Sequence, residues 1–134
     1  MKRILIMEND IRLAIEWVSA FELNQYQVAL CDNVEDAIEF LETETFDLVI
    51  TDLFMDEKEG GLHLLRQISQ MPAPVPPVIA VTGAKVPNAR SKDANIFLKS
   101  AELLGAKAYI QKPFPAAELL LMAEDIWKNK EIYG

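Results

Sequence analysis

Short, continuous apolar runs alternate along the chain with segments whose apolar residues recur at helical spacing. Ile4-Leu5-Ile6-Met7 has the pattern of a strand buried on both faces. Asn9 or Asp10 can cap the helix that follows, with Ile11, Ile15 and Val18 expected on its buried stripe. Tyr26 to Leu30 predicts a second strand, and Asn33 caps a second helix with Val34, Ala37, Ile38 and Leu41 on one face. Phe46 to Thr51 predicts the third strand, and Gly61 to Gln70 the third helix, with Leu62, Leu65 and Ile68 turned inward. Met71 to Pro77 carries four prolines and can only be a connector. Val78 to Val81 and Lys107 to Gln111 predict the last two strands. A fourth helix fits around Asp93 to Leu104, ended by Gly105, and a fifth from about Pro115 to Lys128.

Strands that each lead into a helix predict an α/β fold: a doubly wound, five-stranded parallel sheet with flanking helices. At 134 residues, with no repeat, low-complexity tract or interdomain linker, the expectation is a single domain over residues 1–134 with its core at about 2–128. Mean hydropathy of +0.08 and 25% charged residues suit a packed core. The net charge of −8 argues against direct contact with nucleic acid, which needs clustered Lys and Arg. No apolar run approaches the roughly 18 residues of a membrane span. The single cysteine, Cys31, excludes an internal disulfide and suits the cytoplasm, where it is read as an inert small residue.

In doubly wound sheets the functional crevice lies outside the carboxyl ends of the strands. Here those ends carry Glu8-Asn9-Asp10, Thr51-Asp52, Thr82-Gly83 and Lys112-Pro113. Glu8 and Asp52 on adjacent strands can hold a hard divalent cation, and Mg²⁺ suits one or two carboxylates completed by waters and phosphate oxygens. Asp52 can attack phosphorus to form an acyl phosphate. Thr82 can donate to a phosphoryl oxygen, and Lys112 can neutralise its charge.

This series of strand ends resembles the receiver domain of two-component response regulators, a flavodoxin-like fold, over essentially the whole chain. The resemblance implies that Asp52 is the phosphoacceptor, Glu8 part of the acidic pair, Thr82 the switch hydroxyl, Lys112 the lysine of the family's Lys-Pro pair and Tyr109 the switch aromatic. It also implies a metal ligand in the backbone carbonyl of Phe54, a cis Lys112–Pro113 bond, and a sensor histidine kinase or histidine phosphotransfer protein as donor. Thr82 and Tyr109 would reorient on phosphorylation, and the surface of the fourth helix, fifth strand and fifth helix would read out the change to an effector or a second copy.

The chain departs from the family pattern in three places. Asn9 stands where the second acidic residue is usual, so the metal position is weakened by one charge. After Asp52, Asp56 replaces a usual Pro, Glu57 and Glu59 add charge, and Gly61 reads as a one-residue insertion. From Thr82 to Lys112 the chain runs 30 positions, where a helix of about 12 residues and two loops need only roughly 20–24. The excess is assigned to a long loop over 84–92, with Lys85, Arg90 and Lys92 beside the output face.

A competing reading is a pseudo-receiver, the same fold used only for protein binding, with Asn9 marking decay of the metal site. A dehalogenase-type phosphatase needs a second Asp two residues past its nucleophile, and Phe54 stands there, so enzymatic turnover is not expected. A flavin site lacks a hydroxyl-rich phosphate loop after the first strand. His63 is expected to face solvent. Leu119 to Met122 is either packed through Leu120 and Ala123 or part of a partner surface. No DNA-binding or enzymatic output segment is expected after about Lys128.

Overall fold

The structure, a computed structural model, describes residues 1–53, 60–83, 99 and 101–133. Strands β1 (Arg3–Met7), β2 (Gln27–Cys31), β3 (Leu48–Asp52), β4 (Val78–Thr82) and β5 (Ala108–Gln111) form one parallel sheet in the order β2-β1-β3-β4-β5. Helices α1 (Ile11–Leu23), α2 (Val34–Thr43) and α3 (Gly60–Ser69) and a C-terminal helix (Ala116–Tyr133) cover it. The chain leaves β1 for β2 on one side and returns to β3 on the other. The carboxyl ends of β1 and β3 therefore flank the point where winding reverses.

The period-two alternation of strand side chains divides the core in two. Ile4, Ile6, Leu48, Ile50, Ile79 and Val81 pack against α1 and the C-terminal helix. Leu5, Met7, Val49 and Ala80 pack against α2 and α3. The central strands β3 and β4 are buried at every position, as their unbroken apolar runs require. The edge strand β5 alternates between half-buried and exposed residues.

Helix α1 is turned differently from the expected stripe. Ile11 and Ile15 are 74% and 59% exposed, and Val18 is only partly buried. Ala14, Trp17 and Phe21 form the buried face instead. The two stripes compete for the same sheet, and burying an indole and a phenyl ring removes more apolar area from water than burying two isoleucines. Asp10, not Asn9, caps this helix, its carboxylate accepting from the Leu13 amide at 3.2 Å. Asn33 caps α2 as expected.

Helix α3 begins at Gly60 and buries Leu62, Leu65 and Ile68, together with Leu64. His63 is exposed. A Cβ on Gly61 would lie 1.9 Å from the Asp52 carbonyl oxygen and 2.5 Å from the Leu53 Cα. The residue read as an insertion is thus the point where α3 touches the main chain at the end of β3. The C-terminal helix runs five residues past its expected end. It buries Leu119 and Ala123, with Leu120 half-buried, so Leu119 rather than Leu120 is the deep contact, and Leu121 is exposed. Gly105 ends a helical turn at 101–103 with φ of 99°. The remainder of the expected fourth helix and the loop at 84–92 lie outside the described residues.

Candidate functional site

Glu8 follows directly on β1, held there by its amide donating to the Cys31 carbonyl at 3.1 Å. Asp52 closes β3, and Leu53 beyond it donates to the Val81 carbonyl at 2.8 Å. Lys112 follows β5, its amide donating to the Thr82 carbonyl at 2.8 Å. The parallel register brings these three ends to one rim. The Lys112 ammonium donates to both oxygens of Glu8, at 2.9 and 3.1 Å, and to Asp52 Oδ2 at 2.6 Å. The Lys112–Pro113 bond is cis.

Both carboxylates are buried. Burial and the nearby Asp52 charge raise the Glu8 carboxyl to about 7, although the Lys112 hydrogen bond opposes the shift. Lys112 is raised despite its desolvation, because both carboxylates stabilise the ammonium. Asp10 donates its amide to Glu8 Oε1 at 3.2 Å, so the cap of α1 also fixes the acid. Cys31, buried beneath this rim, has its thiol pushed up to about 12 by burial, which keeps it protonated and unreactive.

The other candidates stand around this cluster. Thr82 is buried at the end of β4, its hydroxyl donating to the Ile110 carbonyl at 3.5 Å. Asn9 is exposed at the rim. Tyr109 lies on the edge strand β5, 50% exposed. Phe54, Asp56, Glu57, Glu59, Lys85, Arg90 and Lys92 lie outside the described residues.

The donor set suits Mg²⁺ in kind. Among the described residues no three His, Cys, Asp or Glu side chains form a cage. Mg²⁺ keeps several waters and asks for only one or two carboxylates, which Glu8 and Asp52 supply. Two neighbours of the site escaped the sequence reading. Trp17 faces Lys112 and stacks on Phe114. The sequence signal for Trp17 is its size on the rival stripe of α1, and Phe114 stands in a Pro-Phe-Pro run whose spacing does not point to the site.

Five parallel strands in this order, with an acid pair bridged by a lysine at the winding reversal, place the protein in the class of doubly wound α/β domains that work from their strand ends. The chain belongs to the response regulator receiver domain family, whose model matches residues 4–124. It is similar to the nisin biosynthesis regulatory protein NisR of Lactococcus lactis, with 26% identity over 96% of this chain and 52% of that one. It is also similar to the transcriptional regulatory protein CrdR of Helicobacter pylori, with 31% identity over 88% of this chain and 51% of that one. The chain thus spans about half the length of these relatives. Among solved structures, a CheY-like receiver domain protein from Methanospirillum hungatei matches with a TM-score of 0.81 and 28% identity over 100% of this chain and 99% of that one. Receiver domains are two-component signalling modules rather than conventional enzymes, and they interact with histidine kinases and effector domains. Among the described residues no helix is long and apolar enough to cross a membrane.

Proposed function

We propose that this receiver domain accepts a phosphoryl group on Asp52 from a sensor histidine kinase or histidine phosphotransfer protein. The observation that carries this reading is the buried Glu8–Lys112–Asp52 cluster at the strand ends. A carboxylate oxygen of Asp52 attacks phosphorus, the bond from phosphorus to the donor's imidazole nitrogen breaks, and its electron pair returns to that nitrogen. The product is an acyl phosphate. Glu8, Asp52, the Phe54 carbonyl and the weakened Asn9 position would hold Mg²⁺, which when bound neutralises phosphoryl oxygens. Lys112 gives up its bond to Asp52 for one to the phosphoryl group, and Thr82 donates its hydroxyl to another oxygen.

Thr82 leaves the Ile110 carbonyl in this step. Reorientation of Tyr109 then alters the surface formed by the expected fourth helix, β5 and the C-terminal helix, where an effector or a second copy docks. By analogy with the regulators it resembles, the domain serves as the input half of a cytoplasmic regulatory protein. The test is incubation with acetyl phosphate and Mg²⁺, followed by intact-mass measurement. Wild type gains one phosphoryl group and Asp52→Asn gains none. Absence of the adduct with every donor would instead leave a binding-only module. Asn9→Asp restores the missing carboxylate, and it is expected to tighten Mg²⁺ binding several-fold in a fluorescence titration. Unchanged affinity would remove the role given to Asn9.

A further inference from the structure

Lys112 does not rest on carboxylates alone. Its Nζ lies 5.6 Å from the centroid of the Trp17 ring, inside the range where an aromatic face attracts a cation. The same indole stacks on Phe114, two residues past Lys112, with centroids 5.5 Å apart and planes 18° from parallel. Trp17 is buried in the middle of α1, on the face that displaced Ile11 and Ile15 from the sheet. One side chain therefore fastens the segment leaving β5 to α1, and it does so directly beside the ammonium.

An ammonium on a four-carbon stem is mobile unless something fixes it. Glu8 and Asp52 fix it through charge, but phosphorylation converts the Asp52 carboxylate into a neutral acyl group. From that moment the charge at this position sits on the phosphoryl oxygens, and the ammonium must move from the carboxylate to them without being lost to solvent. An aromatic face holds a cation without neutralising it and is unaffected by the transfer. We infer that Trp17 is a positioning residue for phosphoryl acceptance, keeping Lys112 aimed at the incoming group through its ring face. The inference rests on Asp52 being the acceptor. It adds a residue from α1 to the machinery and gives that helix a direct mechanical link to the reacting centre.

The test uses the full chain and three variants. Trp17→Phe keeps a ring face, Trp17→Leu keeps apolar bulk without one, and Leu64→Ala weakens the core on the opposite side of the sheet. Initial rates of acceptance from acetyl phosphate with Mg²⁺ are measured by mass, and folding is followed by chemical denaturation. Trp17→Leu is expected to slow acceptance roughly tenfold, while Trp17→Phe stays within about twofold of wild type and Leu64→Ala accepts at the wild-type rate. Equal rates for Trp17→Phe and Trp17→Leu, or equal slowing in Leu64→Ala, would overturn the inference while leaving Asp52 as acceptor. Wild type that accepts nothing would overturn the acceptor reading itself. Should Trp17→Leu not fold, the wild-type protein still decides by proton NMR without any donor. The ring current of Trp17 must displace the Lys112 ε-methylene resonances upfield relative to Trp17→Phe, and resonances at ordinary lysine positions in wild type would refute the placement.

Discussion

At the scale of single residues, Glu8 is held at a cost. Its carboxyl stands at about 7 against an ordinary 4.5, chiefly through burial and then through Asp52. The folded chain therefore binds more protons at this position than the unfolded chain between those two values. Its contribution to stability is fully present below about pH 4.5 and is lost as pH rises through about 7. In metal-free protein Glu8→Gln should remove that decline, leaving the variant more stable than wild type at neutral pH by on the order of a few kcal/mol. Denaturant midpoints measured across this pH range check it, and an unchanged pH dependence would show that Glu8 does not titrate there. Individual strand-end residues were legible because each apolar run ends in a charged or hydroxyl side chain. The pairing of Lys112 with both acids was not, because Lys112 is 104 positions from Glu8 and 60 from Asp52.

Among the elements, α1 and α3 carry the clearest lessons. Helical spacing permits several apolar stripes on one helix, and spacing alone cannot rank them. For α1 the stripe containing Trp17 and Phe21 won by area, which leaves Ile15 in water. Ile15→Glu is accordingly expected to change stability by no more than about 0.5 kcal/mol, whereas a buried isoleucine would cost several times as much. Urea unfolding separates the two. The limits of α3 were legible to one residue, but the role of Gly61 was not, since close approach to a distant strand leaves no trace in local pattern. Gly61→Ala must push α3 away from Asp52 and Leu53, and should cost about 1–3 kcal/mol. It should also slow phosphoryl acceptance, which Leu64→Ala leaves at the wild-type rate. Acceptance by Gly61→Ala at the wild-type rate would reduce Gly61 to a packing residue.

For the whole molecule, the fold class was legible because burial of a parallel sheet on both faces demands unbroken apolar strands, and the chain shows them. The sharing of those strands between two cores follows from alternation. Which helix covers which face depends on connection handedness and needs the assembled sheet. The two tryptophans mark opposite ends of one face. Trp17 lies beside Lys112 at the strand ends, while Trp127 donates its indole to the Asp47 carbonyl at 3.1 Å and sits under Lys2 at the strand starts. Five residues of strand, roughly 16 Å, lie between the two levels. Fluorescence changes on adding Mg²⁺ and beryllofluoride should therefore survive in Trp127→Phe and vanish in Trp17→Phe. The reverse result would place the responding site at the wrong end of the sheet.

The ammonium shared by Glu8 and Asp52 has one more consequence. A divalent ion approaching this rim meets anions that already own a tethered monovalent counter-ion, so uptake is an exchange of partners rather than the filling of an open negative hole. The lysine is a permanent competitor at millimolar-or-higher effective concentration, and a divalent ion held by both carboxylates would have to win them from it. In a chain whose net charge of −8 suggests an appetite for cations, the affinity of this rim for a divalent ion would be set by rivalry within the protein itself.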